Sequence, residues 1–124
     1  GERRDREAAE FGKTTSAKAQ LVKLPQGFRA AGVRAGIKAS GRLDLGLLYS
    51  SEPLAWAMTS TTNALKAACV TRNRERYAAA VRVRGLVVNS GNANCATGAG
   101  GERDNARFAE LAAFALGASP GELL

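Results

Sequence analysis

Leu43, Leu45, Leu47 and Tyr49 fall on one face of an extended chain, opposite Asp44 and Gly46, and this period of two demands a half-buried strand. A run of the same period precedes it, in which Val33, Ala35 and Ile37 alternate with Arg34, Gly36 and Lys38. Ser40 and Gly41 supply the turn between them. Leu54, Trp56 and Met58 form a third run, with Ala55 and Ala57 on the other face. The connections are too short for crossover helices, so the three runs predict an antiparallel, meander-like sheet.

Asn63 to Val70 fits a strand or a helix, and Arg72 to Ala80 predicts a short helix with a narrow apolar face. The last unit is clearer. Gly85 to Asn89 reads as a buried strand and Ser90 to Gly101 as a Gly/Asn-rich loop. Arg103 to Leu116 then reads as a helix with Phe108, Leu111, Ala112, Ala115 and Leu116 on one face and Gly117 as its stop. The fold class expected is α/β, a mixed, largely antiparallel sheet with flanking helices.

Two features point to an incomplete unit. Ser119, Pro120 and Glu122 supply an N-cap, a first-turn proline and a capping acid, announcing a further helix that Leu123 and Leu124 only begin. Ala contributes as many apolar residues, 25, as Leu, Ile, Val and Phe together, so the core is thin and is expected to lean on another polypeptide. Residues 1–20 hold five Lys/Arg, four Asp/Glu and one large apolar residue, Phe11, and are expected to be a flexible N-terminal segment ahead of a folded portion over 21–124.

The absence of His removes every scheme in which this chain supplies its own imidazole base or His metal ligand. No apolar run approaches the roughly 18 residues of a membrane helix and residues 1–20 lack a signal-peptide core, which makes a cytoplasmic chain without a membrane partner the expectation. Cys69 and Cys95 have no metal-type spacing and read as two small buried thiols, with Cys95, in the Gly/Asn-rich loop, the one candidate for reactivity. The net charge is +7, and Lys66, Arg72, Arg74, Arg76, Arg82 and Arg84 against Glu75 form a basic stretch. It reads as a solvated face or a surface for an acidic partner chain, the alternative being a small basic nucleic-acid-binding module, although only Tyr77 offers an aromatic there. Asp44 on the polar side of its strand, and Glu102 and Asp104 in a first helical turn, are explained by solvation and capping. Thr59, Ser60, Thr61 and Thr62 have no base near them in sequence.

The loop from Ser90 to Gly101, SGNANCATGAGG, lies between a strand and a helix, where main-chain N–H groups and a helix N-terminus face an anion or a developing oxyanion. It is neither a P-loop nor a dinucleotide fingerprint. A tight connection with Asn side chains satisfying the backbone accounts for it equally well on composition alone.

Taken together, LPQGFRAAGVRAGIK (Leu24 to Lys38), SGRLDLGLL (Ser40 to Leu48), TTNALKAACV (Thr61 to Val70) and above all VVNSGNANCATGAGGERD (Val87 to Asp104) resemble the ornithine acetyltransferase family, the glutamate N-acetyltransferases of the cyclic arginine pathway. The resemblance runs from about Leu24 to the C-terminus and covers the front part of that family's α chain. It implies a precursor that cuts itself before an internal threonine, so that residues 21–124 belong ahead of the cleavage site in an incomplete part of a larger self-cleaving N-terminal-Thr acyltransferase fold. The implied reaction moves the acetyl group of N2-acetyl-L-ornithine to the N-terminal Thr of a partner β chain and then to L-glutamate. Thr97 and Gly98 match the α-chain pair implied to form the oxyanion hole. An α2β2 heterotetramer, small-molecule substrates, no nucleic acid, no metal and no resident cofactor are implied, and acetyl-CoA is a second acetyl donor in bifunctional relatives. Without the nucleophile the chain alone is expected to be inactive. Cys69 stands where Pro is usual before Val70, and Met58-Thr59-Ser60 replaces a more aliphatic approach to Thr61-Thr62-Asn63. Neither departure touches Thr97 or Gly98.

Overall fold

A computed structural model describes residues 23–124; residues 1–20, expected to be flexible, lie outside the described residues. Strands β1 (Phe28–Val33), β2 (Leu45–Leu54) and β3 (Val83–Asn89) form a three-stranded sheet of order β1-β2-β3, antiparallel throughout. Helix α1 (Ala68–Ala78) lies between β2 and β3 in the chain, helix α2 (Gly98–Leu116) follows β3, and a 3₁₀ turn spans Pro120–Glu122. The α/β class and the antiparallel sheet are as expected.

β2 carries the alternation read from the sequence from Leu45 onward, while Leu43 lies ahead of the strand and is exposed. Leu45 and Leu47 pair with Val33 and Ala31 on one side, and Leu47 with Val87 on the other, so one face of the sheet is apolar. Across from it stand Phe108, Leu111, Ala112 and Ala115 of α2, the helix face expected. The two faces enclose an apolar groove of about 270 Å³. Ala109 and Ala113, on an adjoining stripe of α2, are buried, and their small side chains let α1 and the 3₁₀ turn approach closely. Among the described residues the fully buried apolar ones are few, Val83, Ala109, Ala113 and Leu123, as a supply dominated by Ala dictates.

Several boundaries differ from expectation: α1 spans Ala68–Ala78 rather than Arg72 to Ala80, and β3 starts at Val83 rather than Gly85. The first strand spans Phe28–Val33 and shares only Val33 with the alternating run Val33 to Lys38 that reads as a strand, because the N–H groups of Ala35, Ile37 and Lys38 turn away from the sheet to the Asp44 carboxylate. The third alternating run contributes only Leu54, which pairs with Val83 beyond a bulge in β2; Trp56 leaves the ladder, donates its indole N–H to the Val81 carbonyl at 2.7 Å and packs edge-on against Tyr77. Ser119, Pro120 and Glu122 do form a capping box, but the helix stops after one 3₁₀ turn. Leu123 is extended instead and bridges Gly85 in parallel, with Leu124 N–H donating to the Gly85 carbonyl and Val87 N–H to the Leu124 carbonyl, both at 3.0 Å. Leu123 is fully buried there, beside Gly85.

The basic stretch is also redefined. Arg76 donates to the carbonyls of Pro120, Gly121 and Leu123, and Arg72 to that of Pro120. Arg74 binds Ser60 and Thr61, Arg82 the Pro53 carbonyl, and Arg84 the Ser51 carbonyl at the β2 bulge, stacked over the Tyr49 ring. Burial lowers the pKa of Arg72 and of Arg76, the latter also through its neighbour Arg72. These guanidiniums are clamps on main-chain carbonyls rather than a free cationic face. Among the described residues no helix is long and apolar enough to cross a membrane.

Candidate active site

Beyond Asn89 the chain leaves the sheet as the irregular segment from Ser90 to Thr97, and local ties hold it. Ser90 N–H donates to the Asp44 carbonyl at 2.8 Å, and the Asn89 side-chain amide to the Asn92 carbonyl at 3.0 Å. Further on, Ala68 N–H at the start of α1 donates to the Asn94 carbonyl, Ala67 and Cys95 form a bridge, and the Cys95 thiol reaches the Leu65 carbonyl at 3.3 Å. Ala96 has φ 57°, a left-handed conformation unfavourable for a side-chain-bearing residue by roughly 1–2 kcal/mol, and this turn swings the chain into α2.

α2 starts earlier than expected. Gly98 to Gly101 are its first turn rather than the end of the loop, so Thr97 is the N-cap residue and Gly98, at φ 59°, the first helical one. Glu102 and Asp104 consequently lie in the second turn, and the first turn contains no acid. The positive end of the helix dipole and the first-turn N–H groups, Gly98 among them, therefore face outward with no carboxylate competing for them. Thr97 and Gly98 are both exposed at this end.

Thr97 does not cap its own helix. Its hydroxyl makes a short hydrogen bond with the Asn94 side-chain oxygen, and the Asn94 amide donates to the Gly101 carbonyl at 2.8 Å. Gly101 is buried, and a Cβ there would run into both Thr97 Oγ1 and Asn94 Oδ1. Asn94 and Gly101 thus hold the Thr97 side chain in place, a role that reading the sequence missed. The available signal was Gly101 itself, a helix-weakening residue four positions after Thr97, where an N-terminal turn folds back on the loop.

Asp44 is the second residue whose role was missed. It is buried rather than solvated, and its carboxylate accepts from Ala35, Ile37 and Lys38 at 2.6, 2.7 and 2.9 Å. These main-chain donors, Ala35 first and then Lys38, hold its pKa below the ordinary carboxylate value against the opposing effect of burial. The cysteines were read as buried, yet Cys69 and Cys95 are both exposed: Cys69 lies in the first turn of α1 and Cys95 on the loop surface. Among the described residues no group of three or more His, Cys, Asp or Glu side chains is placed to hold a metal ion.

A protein-family model, that of the ArgJ family, matches residues 29–124. Relatives named arginine biosynthesis bifunctional protein ArgJ include those of Thermus thermophilus, 55% identical over 83% of this chain and 27% of that protein, and of Deinococcus radiodurans, 50% identical over 83% and 26%. The chain spans about a quarter of the length of these curated relatives. Among solved structures, the ornithine acetyltransferase of Mycobacterium tuberculosis complexed with ornithine superposes with a TM-score of 0.74 at 42% identity, covering 86% of this chain and 58% of that one. The arginine biosynthesis bifunctional protein of Bacillus halodurans gives 0.73 at 30% identity, covering 79% and 51%. With the family model matched over nearly all of the described residues and the fold shared with these structures, the chain belongs to the ArgJ family.

Proposed function

We propose that this chain supplies the oxyanion-stabilising loop of an acetyltransferase that moves the acetyl group of N2-acetyl-L-ornithine to L-glutamate through an acetyl-threonine on a partner β chain. The observation that carries the reading is the Thr97-Gly98 pair, a held hydroxyl and a first-turn N–H side by side at an acid-free helix N-terminus. The names of the relatives support the substrate class.

The chemistry follows from the donors. Attack of a threonine hydroxyl on the acetyl carbonyl places negative charge on one oxygen, and two donors converging there lower the barrier. The Thr97 hydroxyl has one proton, which at rest goes to Asn94. Transferring that donation to the oxyanion exchanges a neutral hydrogen bond for a charge-assisted one, roughly twice as strong. Asn94 keeps its bond to the Gly101 carbonyl meanwhile, so the loop does not have to rearrange. The Gly98 N–H needs no movement. Collapse of the oxyanion breaks the bond to nitrogen and releases the ornithine α-amine, which takes up the proton lost by the threonine hydroxyl. Attack of the glutamate amine on the acetyl-threonine then passes through a like oxyanion and returns the threonine, with its proton, to its free form.

The partner β chain, an α2β2 assembly, a cytoplasmic location and acetyl-CoA as a second donor for glutamate belong to the same proposal. The alternative, a small basic nucleic-acid-binding module, would draw on arginines that in this fold also donate to main-chain carbonyls. The test is Thr97→Ala in the enzyme that contains this segment, with acetylornithine and glutamate as substrates. Turnover should fall about 10²- to 10³-fold. Unchanged turnover would leave packing as the only role of Thr97.

A further inference from the structure

We propose that Asp44 is a positioning residue for this loop: it holds both partners of the contact at Gly91 through which the loop enters, and so sets where Thr97 stands. The proposal rests on the function inferred above. On one side, the Asp44 carbonyl accepts from Ser90 N–H at 2.8 Å and fixes the first residue of the loop. On the other, the Asp44 carboxylate gathers the N–H groups of Ala35, Ile37 and Lys38, which brings the Ile37 and Lys38 side chains over Gly91.

The contact has little slack. Gly91 is at φ 103°, and a Cβ there would lie 2.7 Å from Lys38 Cγ and 3.6 Å from Ile37 Cγ2, so the Lys38 stem lies directly against the main chain. Lys38 is fixed at its far end as well, its ammonium donating to the Leu43 carbonyl at 3.4 Å. Between Gly91 and Ala96 the loop is irregular, and its ties there are the Asn92, Asn94 and Cys95 contacts of the preceding section. The Gly91 contact fixes the sheet end of this segment, and Asn94 and Thr97 follow it in the chain. A single residue, immediately before β2, thus couples the sheet, the 34–41 turn and the entry to the loop.

The experiment uses the enzyme that contains this segment. Asp44→Asn preserves shape but replaces one acceptor oxygen by an amide donor that faces main-chain N–H groups. The kcat for acetyl transfer from acetylornithine should fall about 10- to 100-fold, the scale of a misplacement near 1 Å, while KM stays within about twofold. Amide exchange over residues 91–97 should accelerate while the paired residues of β2 and β3 keep their protection. In a Thr97→Ala background the same substitution should add less than about threefold, because both changes act on one donor. A fully multiplicative loss in that background, or unchanged exchange over 91–97, overturns the proposal. Should Asp44→Asn not fold, Lys38→Ala retains all three main-chain bonds to Asp44 and removes only the stem over Gly91, and it is judged by the same three measurements. An unmutated enzyme without acetyl transfer from acetylornithine would refute the function inferred above, and the exchange of residues 91–97 would then decide the role of Asp44 alone.

Discussion

Gly100 and Gly101 are adjacent in the first turn of α2, and replacing each by Ala separates helix stability from the geometry of the site. At Gly100 a Cβ meets nothing nearer than an Arg103 guanidinium nitrogen at 4.0 Å, whereas at Gly101 it would overlap Thr97 Oγ1 and Asn94 Oδ1 and lie 2.7 Å from Thr97 Cβ. Removing a glycine from a helix gains about 0.5–1 kcal/mol. Gly100→Ala should show that gain in a denaturant titration and leave acetyl transfer intact. Gly101→Ala receives the same gain against an overpacking cost of about 1–3 kcal/mol, so its net destabilisation should be no more than about 2.5 kcal/mol. Its activity should fall much further. The new methyl occupies the space of the Thr97-Asn94 hydrogen bond, so the hydroxyl donor is lost and turnover should drop by about 10²-fold, approaching Thr97→Ala. Steady-state kinetics of both variants beside Thr97→Ala provide the assay. Gly101→Ala with turnover within about twofold of the parent would refute the claim that Asn94 and Gly101 hold Thr97 in its working position.

Other parts of the structure give further expectations. Leu123→Ala empties a fully buried site against Gly85 and should destabilise the fold by about 2–5 kcal/mol, read from denaturant midpoints; a loss under about 1 kcal/mol would mean that the site collapses or is not packed. Arg76→Ala removes donors to the Pro120, Gly121 and Leu123 carbonyls and should lower stability by about 1–2 kcal/mol, discounted for partial exposure, without changing the salt dependence of any polyanion binding. Because the Asp44 pKa is lowered in the folded state, its stabilisation is fully present above the unfolded value of about 4 and is lost as pH falls through the folded value. Unfolding midpoints measured from about pH 5 downward should therefore fall less steeply in Asp44→Asn than in the parent, and parallel curves would exclude the carboxylate as the titrating anchor.

The elements whose signal is local were legible in the sequence. The alternation of Leu45, Leu47 and Tyr49, the apolar run ending at Asn89 and the Phe108-Leu111-Ala112-Ala115 face each report which side of one segment is buried, and each stands where periodicity placed it. The Thr97-Gly98 pair was found through resemblance, and its place ahead of a helix through the pattern around it. Other features depend on what lies opposite a segment after the chain closes. Asp44 reads as the polar side of a strand until the 34–38 turn folds onto it, and the arginines of α1 read as a solvated face until carbonyls 44 to 48 residues away come within reach. Leu123 reads as the start of a helix until Gly85, without a side chain, leaves room for it beside β3. Periodicity records how often a residue type recurs along the chain and therefore determines element type and face. Hydrogen-bond partners distant in sequence are selected by the unmet donors and acceptors that folding brings together, so the ends of the strands, the arginine clamps and the Asn94-Gly101 hold on Thr97 were decided only by the tertiary structure.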